Sequence, residues 1–183
     1  MLRITGGHLA GRRFKAPAGM NTRPTSDRVK EALFAILGTR VQVELAADLF
    51  AGSGGLGLEA LSRGAGHCIF VERQRQVVKV LTRNLQSLGL WERATVIKTD
   101  AGAPGPRLLS RGACSLVLAD PPYDQGEVSR VCRLAGPGGL LAPGGWLVIE
   151  HSPRERPAQE PGLSLEDRRA YGQTEISFLY REP

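Results

Sequence analysis

The sequence predicts an α/β fold in which a mostly parallel sheet carries helices on both faces. From Leu45 onward, short apolar segments alternate with amphipathic segments of helical period. A glycine-rich turn follows the first apolar segment, and another apolar segment stops abruptly at Asp120. Strands separated by helices imply right-handed crossovers and parallel pairing. We find no internal repeat and no clear linker, so we predict one domain over residues 1–183.

Composition narrows the class of protein. The chain has 183 residues, of which 42% are hydrophobic and 23% charged, as is ordinary for a globular domain. No apolar run approaches the roughly 20 residues of a membrane span, and the N-terminus lacks the apolar core of a signal peptide. The three cysteines form no Cys-x-x-Cys pair, and the three histidines do not cluster. We therefore expect a cytoplasmic protein without a disulfide framework, a metal site or a membrane partner.

The positive charge is concentrated in the N-terminal fifth of the chain. Residues 1–40 hold eight basic and two acidic side chains, which accounts for the whole net charge of +6. Such asymmetry favours contact with an anionic polymer, although it also fits a merely solvated basic face. The candidates for contact with an RNA backbone are Arg12, Arg13, Lys15, Arg23 and Arg28.

The same N-terminal stretch, residues 1–40, is predicted to pack on the core as an extension. Residues 2–15 have the weak alternation and glycines of a β-hairpin, and residues 16–24 form a loop. A helix then begins after Thr25 or Ser26 and stops at Gly38. Its apolar stripe starts at Val29 and leaves Lys30 outside.

The core elements follow in order. The predicted parallel strands are Leu45–Phe50, His67–Val71, Ala94–Lys98, Cys114–Ala119 and Trp146–Glu150, with a closing antiparallel pair at Leu163–Arg168 and Glu175–Arg181. The predicted helices are Leu56–Ser62, Gln74–Leu88 and Glu127–Leu134, with at most a short helix at Arg107–Ser110. Residues 136–145 are predicted to be a loop, because they are rich in glycine.

The apolar strand Cys114–Ala119 runs into Asp120, Pro121, Pro122 and Tyr123. Proline has no N–H for a sheet ladder and fixes φ, so the chain leaves the sheet in a rigid turn. The turn presents a carboxylate, carbonyl groups and a flat ring at the edge where open α/β sheets bind ligands. A planar substrate with an amino group would suit it, since the ring can stack and the oxygens can accept hydrogen bonds. The motif resembles that of methyltransferases that modify exocyclic amino groups of nucleic-acid bases, although proline turns are also common strand ends.

A second site is predicted at the segment Asp48–Gly57, which contains Gly-x-Gly-x-x-Gly between a strand and a helix. Acids occur at the ends of successive strands, as expected for a site that binds a cationic nucleoside without phosphate. Asp48 could accept from an ammonium group, Glu72 from ribose hydroxyl groups and Asp100 from an adenine amino group. The glycine motif alone also fits a dinucleotide site or plain close packing. Together with the turn Asp120–Tyr123, the acids favour S-adenosylmethionine over a nicotinamide cofactor. The predicted cofactor-binding residues are Asp48, Phe50, Gly52, Ser53, Gly54, Glu72, Arg73, Asp100 and Ala101.

Four segments together resemble the bacterial RsmD type of 16S rRNA guanine-N2-methyltransferases: residues 22–34, 48–54, 59–65 and the turn 120–123. The resemblance covers almost the whole chain. It implies a Rossmann-like S-adenosylmethionine-dependent methyltransferase fold with seven strands, a monomer, and a guanine of the small ribosomal subunit as target, of the type named for guanine 966. It also implies catalytic roles for Asp120, Pro121, Pro122 and Tyr123.

Other functions remain open at this point. The turn chemistry is shared with methyltransferases of DNA adenine N6 or cytosine N4, although the chain leaves little room for a DNA-recognition domain. A non-catalytic ribosome assembly factor could keep the fold, and a nicotinamide-dependent oxidoreductase could use the glycine-rich turn.

Overall fold

The computed structural model describes residues 1–17, 26–101, 108 and 112–183. Within these residues the chain forms a short hairpin and one larger sheet. The hairpin consists of β1 (Leu2–Arg3) and β2 (Arg13–Phe14). The strands of the larger sheet are β3 (Leu45–Leu49), β4 (His67–Val71), β5 (Ala94–Ile97), β6 (Cys114–Ala119), β7 (Leu141–His151), β8 (Leu163–Tyr171) and β9 (Thr174–Arg181).

The helices fall between these strands as the periodicity predicted. They are α1 (Asp27–Leu37), α2 (Gly55–Ser62), α3 (Arg75–Ser87) and α4 (Glu127–Ala135), with short 3₁₀ turns at Gly38–Val41 and Trp91–Arg93. Ser26 caps α1 by accepting from the Val29 amide at 3.3 Å, and Gly38 ends it with a φ of 53°. The short helix predicted at Arg107–Ser110 lies outside the described residues except for Leu108.

The order of strands in the larger sheet is β5-β4-β3-β6-β7-β9-β8. Neighbours from β5 to β7 pair in parallel, whereas β9 pairs antiparallel with both β7 and β8. This confirms the predicted mostly parallel, seven-stranded sheet. Because β3 and β6 are adjacent but far apart in sequence, the strand order reverses between them, and such a switch point opens a crevice at the carboxyl ends of the strands.

Each face of the sheet is covered by its own apolar core, because side chains alternate along a strand. Ala46 of β3 packs in one core with Phe34 of α1, Leu61 of α2 and Leu81 of α3. The next residue of β3, Ala47, packs in the other core, where α4 contributes Val131 among others. The predicted arrangement of helices on both faces is therefore confirmed.

A buried ion pair docks the N-terminal extension on the core. Lys30 is 3% exposed, and its Nζ lies 3.5 Å from Glu59 Oε2 on α2 and donates to the Arg3 carbonyl at 2.6 Å. Glu59 also accepts from Thr5 and from Arg63. The helical stripe left Lys30 outside the core, and the structure shows instead that it is buried against this carboxylate. The buried charges are tolerated because each has several partners.

The prediction of a loop over residues 136–145 was wrong at its C-terminal end. Strand β7 begins at Leu141, which is fully buried and pairs with Cys114. The pairing then skips to Leu116 with Trp146, so the glycine-rich residues between form an irregularity inside the strand, with Gly144 at a φ of 75°. Within the described residues, no helix is long and apolar enough to cross a membrane, and no three potential metal ligands come together.

Candidate active site

A cavity of about 850 Å³ lies at the carboxyl ends of the parallel strands. A cavity of this volume falls in the range of small-molecule and cofactor sites. The ends of β3, β4, β5, β6 and β7 all contribute to its wall, and the N-terminal extension and the β8–β9 hairpin supply the rest. The wall includes Leu2, Pro17, Ser26, Val29, Phe50, Gly52, Ser53, Glu72, Arg73, Asp100, Ala101, Asp120, Pro121, Pro122, Tyr123, Glu150 and Thr174.

The predicted turn after β6 opens into this cavity. All of its residues, Asp120 to Tyr123, line the wall. The hydroxyl group of Tyr123 lies 2.8 Å from Thr174 Oγ1 and donates to Glu150 Oε1 at 3.3 Å. Burial is the main cause that raises the pKa of Tyr123 to about 12, so its hydroxyl group stays protonated at neutral pH. The ring is therefore held at the cavity wall by its polar end, with 39% of the residue exposed.

The turn is fixed from its other end by a carboxylate. Glu155, in the segment that follows β7, accepts from the backbone amides of Asp124 at 2.8 Å and Gly126 at 2.7 Å. Asp124 has a φ of 58°, which is unusual for a residue with a side chain. These hydrogen bonds compensate for that strained conformation and fix the exit of the chain into α4.

The glycine-rich turn after β3 approaches the cavity with its backbone. A Cβ on Gly52 would meet nothing closer than 4.0 Å, so its main chain faces open space, and its φ is 54°. Gly54 and Gly57 serve packing instead, because a Cβ there would lie 2.8 Å from Leu81 and 2.3 Å from the Phe70 ring. Of these three glycines of the motif, Gly52 is therefore the one that lets a ligand approach closely.

Asp48 lies behind this turn rather than at the cavity. It is 1% exposed, and its Oδ2 accepts from the amide of Gly57 at 2.7 Å. Burial raises the pKa of Asp48 to about 7. Neither Asp48 nor Gly54 lines the cavity, so the structure gives them a role in shaping the turn, and direct contact with a cofactor stays a prediction.

Glu72 joins the turn to the next strand. Its Oε2 accepts from the Gly52 amide at 3.1 Å, and its Oε1 accepts from the Gln74 amide at 2.7 Å. Asp100, after β5, lines the same cavity together with Arg73 and Ala101. Glu72, Asp100 and Asp120, which follow three different strands, therefore converge on one space, as the strand-end pattern predicted.

Comparison with known proteins identifies the family of the chain. The sequence model of a family described as "Conserved hypothetical protein 95" matches residues 2–180. The chain belongs to this family. It is the RsmD family, so the resemblance found in the sequence is confirmed. The sheet and its helices form the Rossmann-like fold of S-adenosylmethionine-dependent methyltransferases, and S-adenosylmethionine is the cofactor of the family.

Named relatives match along the whole chain. "Putative rRNA methyltransferase YlbH" of Bacillus subtilis is 37% identical over 97% of both chains. "Ribosomal RNA small subunit methyltransferase D" of Escherichia coli is 33% identical over 99% of this chain and 90% of its own. The solved structure titled "Putative methyltransferase yhhF from Escherichia coli" superposes with a TM-score of 0.86 at 32% identity, over 99% of this chain and 98% of that one.

Four of the basic residues predicted to contact RNA are described by the structure, and none of these four lines the cavity of this RsmD-family protein. Arg12, Arg13, Lys15 and Arg28 are exposed, whereas Arg23 lies outside the described residues. The backbone of Lys15 exchanges hydrogen bonds of 2.9 and 3.0 Å with the side chain of buried Asn84. The same amide donates to the carbonyl of Ser53, so it ties the basic hairpin to the cofactor turn.

Sequence reasoning missed part of the cavity wall. Glu150 and Thr174 were not predicted as site residues, although both contact Tyr123. The signal for Glu150 was available, since an acid at the end of an apolar strand is the pattern that found Asp120. The contributions of Pro17 and Ser26 had no such signal, because they depend on how the extension docks.

Proposed function

We propose that the protein transfers a methyl group from S-adenosylmethionine to the exocyclic N2 amino group of a guanine in small-subunit ribosomal RNA. The family and the names of its relatives support the reaction class and the RNA substrate. The choice of guanine as the base and of N2 as the methylated atom goes beyond those names. The substrate would be the RNA within an assembled or assembling subunit, and the protein would act on it as a monomer in the cytoplasm.

One observation carries the proposal. The turn Asp120–Tyr123 and the glycine-rich turn at Gly52 open into the same cavity, together with Glu72 and Asp100. A site for a nucleoside cofactor and a site for a planar amino-bearing base therefore adjoin, as methyl transfer between them requires.

The residues at the strand ends fit the cofactor by their chemistry. Glu72 offers carboxylate oxygens suited to ribose hydroxyl groups, and Asp100 an acceptor suited to an adenine amino group. Gly52 leaves room for close approach by its main chain. The bound cofactor would supply an already activated methyl group, so the protein has mainly to align the acceptor. Transfer would release S-adenosylhomocysteine, and the amino nitrogen would lose one proton to the Asp120 carboxylate or to water.

Alignment of the base falls to the turn after β6. The Asp120 carboxylate and the Pro121 carbonyl group accept hydrogen bonds from the amino hydrogens and so direct the nitrogen lone pair away from the ring conjugation. Tyr123 stacks on the base, a contact worth about 1–3 kcal/mol in single-stranded nucleic-acid complexes. Its hydrogen bonds to Thr174 and Glu150 hold the ring in place before the base arrives.

The test is methyl transfer from radiolabelled S-adenosylmethionine to small subunits that lack the modification. Naked ribosomal RNA and DNA run in parallel, and digestion to nucleosides identifies the product. We expect label as N2-methylguanine at a single site, and strongly reduced labelling with the variant Asp120→Ala.

Other outcomes select other functions. Label in DNA alone would identify a DNA amino-methyltransferase. Cofactor binding without transfer to any of these substrates would favour an assembly factor. Calorimetric binding of a nicotinamide dinucleotide instead of S-adenosylmethionine would refute the cofactor assignment.

A further inference from the structure

A second carboxylate lies beside Asp120 in the part of the cavity next to Tyr123. In the parallel pairing of β6 and β7, Ala119 lies opposite Ile149. Asp120 and Glu150 are the next residues of the two strands, and both line the cavity. Glu150 is 5% exposed and lies within β7, where it pairs with Ile176 of β9.

Glu150 also lies at the edge of the aromatic ring. Its Oε1 is 3.3 Å from the hydroxyl oxygen of Tyr123, which also lies 2.8 Å from Thr174 Oγ1. A purine stacked on the Tyr123 ring covers a similar area, so its edge comes close to this carboxylate. A carboxylate oxygen has more than one lone pair and can accept a second hydrogen bond beside that of the tyrosine.

Two adjacent carboxylates favour one base over the others. The Watson–Crick edge of guanine presents the N2 amino group next to the N1–H, which are both donors. Adenine and cytosine each present an amino group next to a ring nitrogen that is an acceptor. A ring nitrogen that is an acceptor gains no hydrogen bond from a buried carboxylate and faces its negative charge, which is costly.

We propose that Glu150 determines specificity for guanine by accepting the N1–H while Asp120 accepts from the N2 amino group. This inference rests on the proposed function, since it needs a base in the cavity. It assigns to the strand end of β7 the discrimination against adenine and cytosine that the turn Asp120–Tyr123 alone lacks.

The experiment compares guanine with 2-aminopurine at the target position. 2-Aminopurine keeps the N2 amino group but has an unprotonated N1, so it removes the donor that Glu150 would bind. Small subunits are reconstituted with ligated ribosomal RNA carrying either base, and kcat/KM is measured for both. We expect the wild-type protein to favour guanine by roughly 10- to 100-fold, the worth of one hydrogen bond to a charged group.

The variant Glu150→Gln tests the assignment, because its amide can donate to the N1 of 2-aminopurine. We expect the ratio of the two kcat/KM values to fall by about tenfold. The matched control is Tyr123→Phe, which removes the phenol contact and leaves the carboxylate. We expect Tyr123→Phe to keep the wild-type ratio of the two kcat/KM values. If Glu150 only held the ring in place, the two variants would give the same ratio.

The outcomes separate the two proposals. Methylation of guanine N2 with equal wild-type rates for both bases would overturn the role of Glu150 and leave the proposed function standing. A Glu150→Gln protein that loses rate equally on both bases would do the same. No transfer to guanine by the wild-type protein would overturn both.

Discussion

The buried carboxyl group of Asp48 predicts a pH dependence of the unfolding free energy whose direction follows from its burial. Burial raises the pKa of this carboxyl group from 3.8 to about 7, while it accepts from the Gly57 amide. A raised pKa in the folded state favours the protonated form. The contribution of Asp48 to the unfolding free energy is therefore fully present below pH 3.8 and is lost as the pH rises through about 7. The two values give a loss of about 2–3 kcal/mol of unfolding free energy between pH 5 and pH 8.

The substitution Asp48→Asn keeps an oxygen that can accept from Gly57 but removes the titration. We expect the unfolding free energy of the variant, relative to wild type, to rise by about 2–3 kcal/mol from pH 5 to pH 8. Urea unfolding of the cofactor-free proteins, followed by circular dichroism, measures it. Glu44→Gln, which removes an exposed carboxylate in the same way, is the matched control. Parallel stability curves for wild type and Asp48→Asn would refute the reasoning.

Two other changes test the basic hairpin and the packed glycines. Exchanging both Arg12 and Arg13 for Gln should make the plot of log RNA affinity against log salt concentration less steep by about 1.4–1.8, because two phosphate contacts are lost. Filter binding at several salt concentrations measures this slope. Gly57→Ala should cost about 1–3 kcal/mol of unfolding free energy in urea, because the new methyl group would lie 2.3 Å from the Phe70 ring.

Each of these changes has a matched control. The control for the hairpin is the exchange of Arg130 and Arg133 for Gln, because α4 lies on the face of the sheet opposite to the hairpin. This exchange should change the salt slope little. An equal change there would show that the effect is not specific to the hairpin. Gly55→Ala places its methyl group in open space at the start of α2, so it should not destabilise the protein. Equal losses for Gly55→Ala and Gly57→Ala would contradict the packing argument.

The elements of the fold could be predicted because their signals are local. The strand Cys114–Ala119 and the helix that begins at Asp27 were found at their observed bounds from apolar runs, caps and prolines. Acids at strand ends located Glu72, Asp100 and Asp120, because carboxyl ends of parallel strands meet at one edge. Strand β7 was predicted too short, since Pro143 and the glycines after it suggest a loop and only the pairing with β6 shows a bulge.

Features that depend on distant partners could not be predicted in this way. Lys30 is buried because Glu59, 29 positions later, lies beside it, and a helical period contains no information about that pairing. Asp48 has the strand-end signature of a ligand-binding acid, yet the following helix folds back so that the Gly57 amide donates a hydrogen bond to its carboxylate. The same limit applies to Asn84, whose side chain joins Lys15 to Ser53.

We propose that the turn Asp120–Tyr123 performs the chemistry beside an independent cofactor site. Two properties of Asp120→Ala test this most directly: the dissociation constant for S-adenosylmethionine by calorimetry and the single-turnover rate on small subunits. We expect a cofactor affinity within about threefold of wild type and a rate at least on the order of 100-fold lower, since the acceptor of the amino hydrogens is gone. Near-normal turnover with intact cofactor affinity would show that Asp120 has no part in the chemistry.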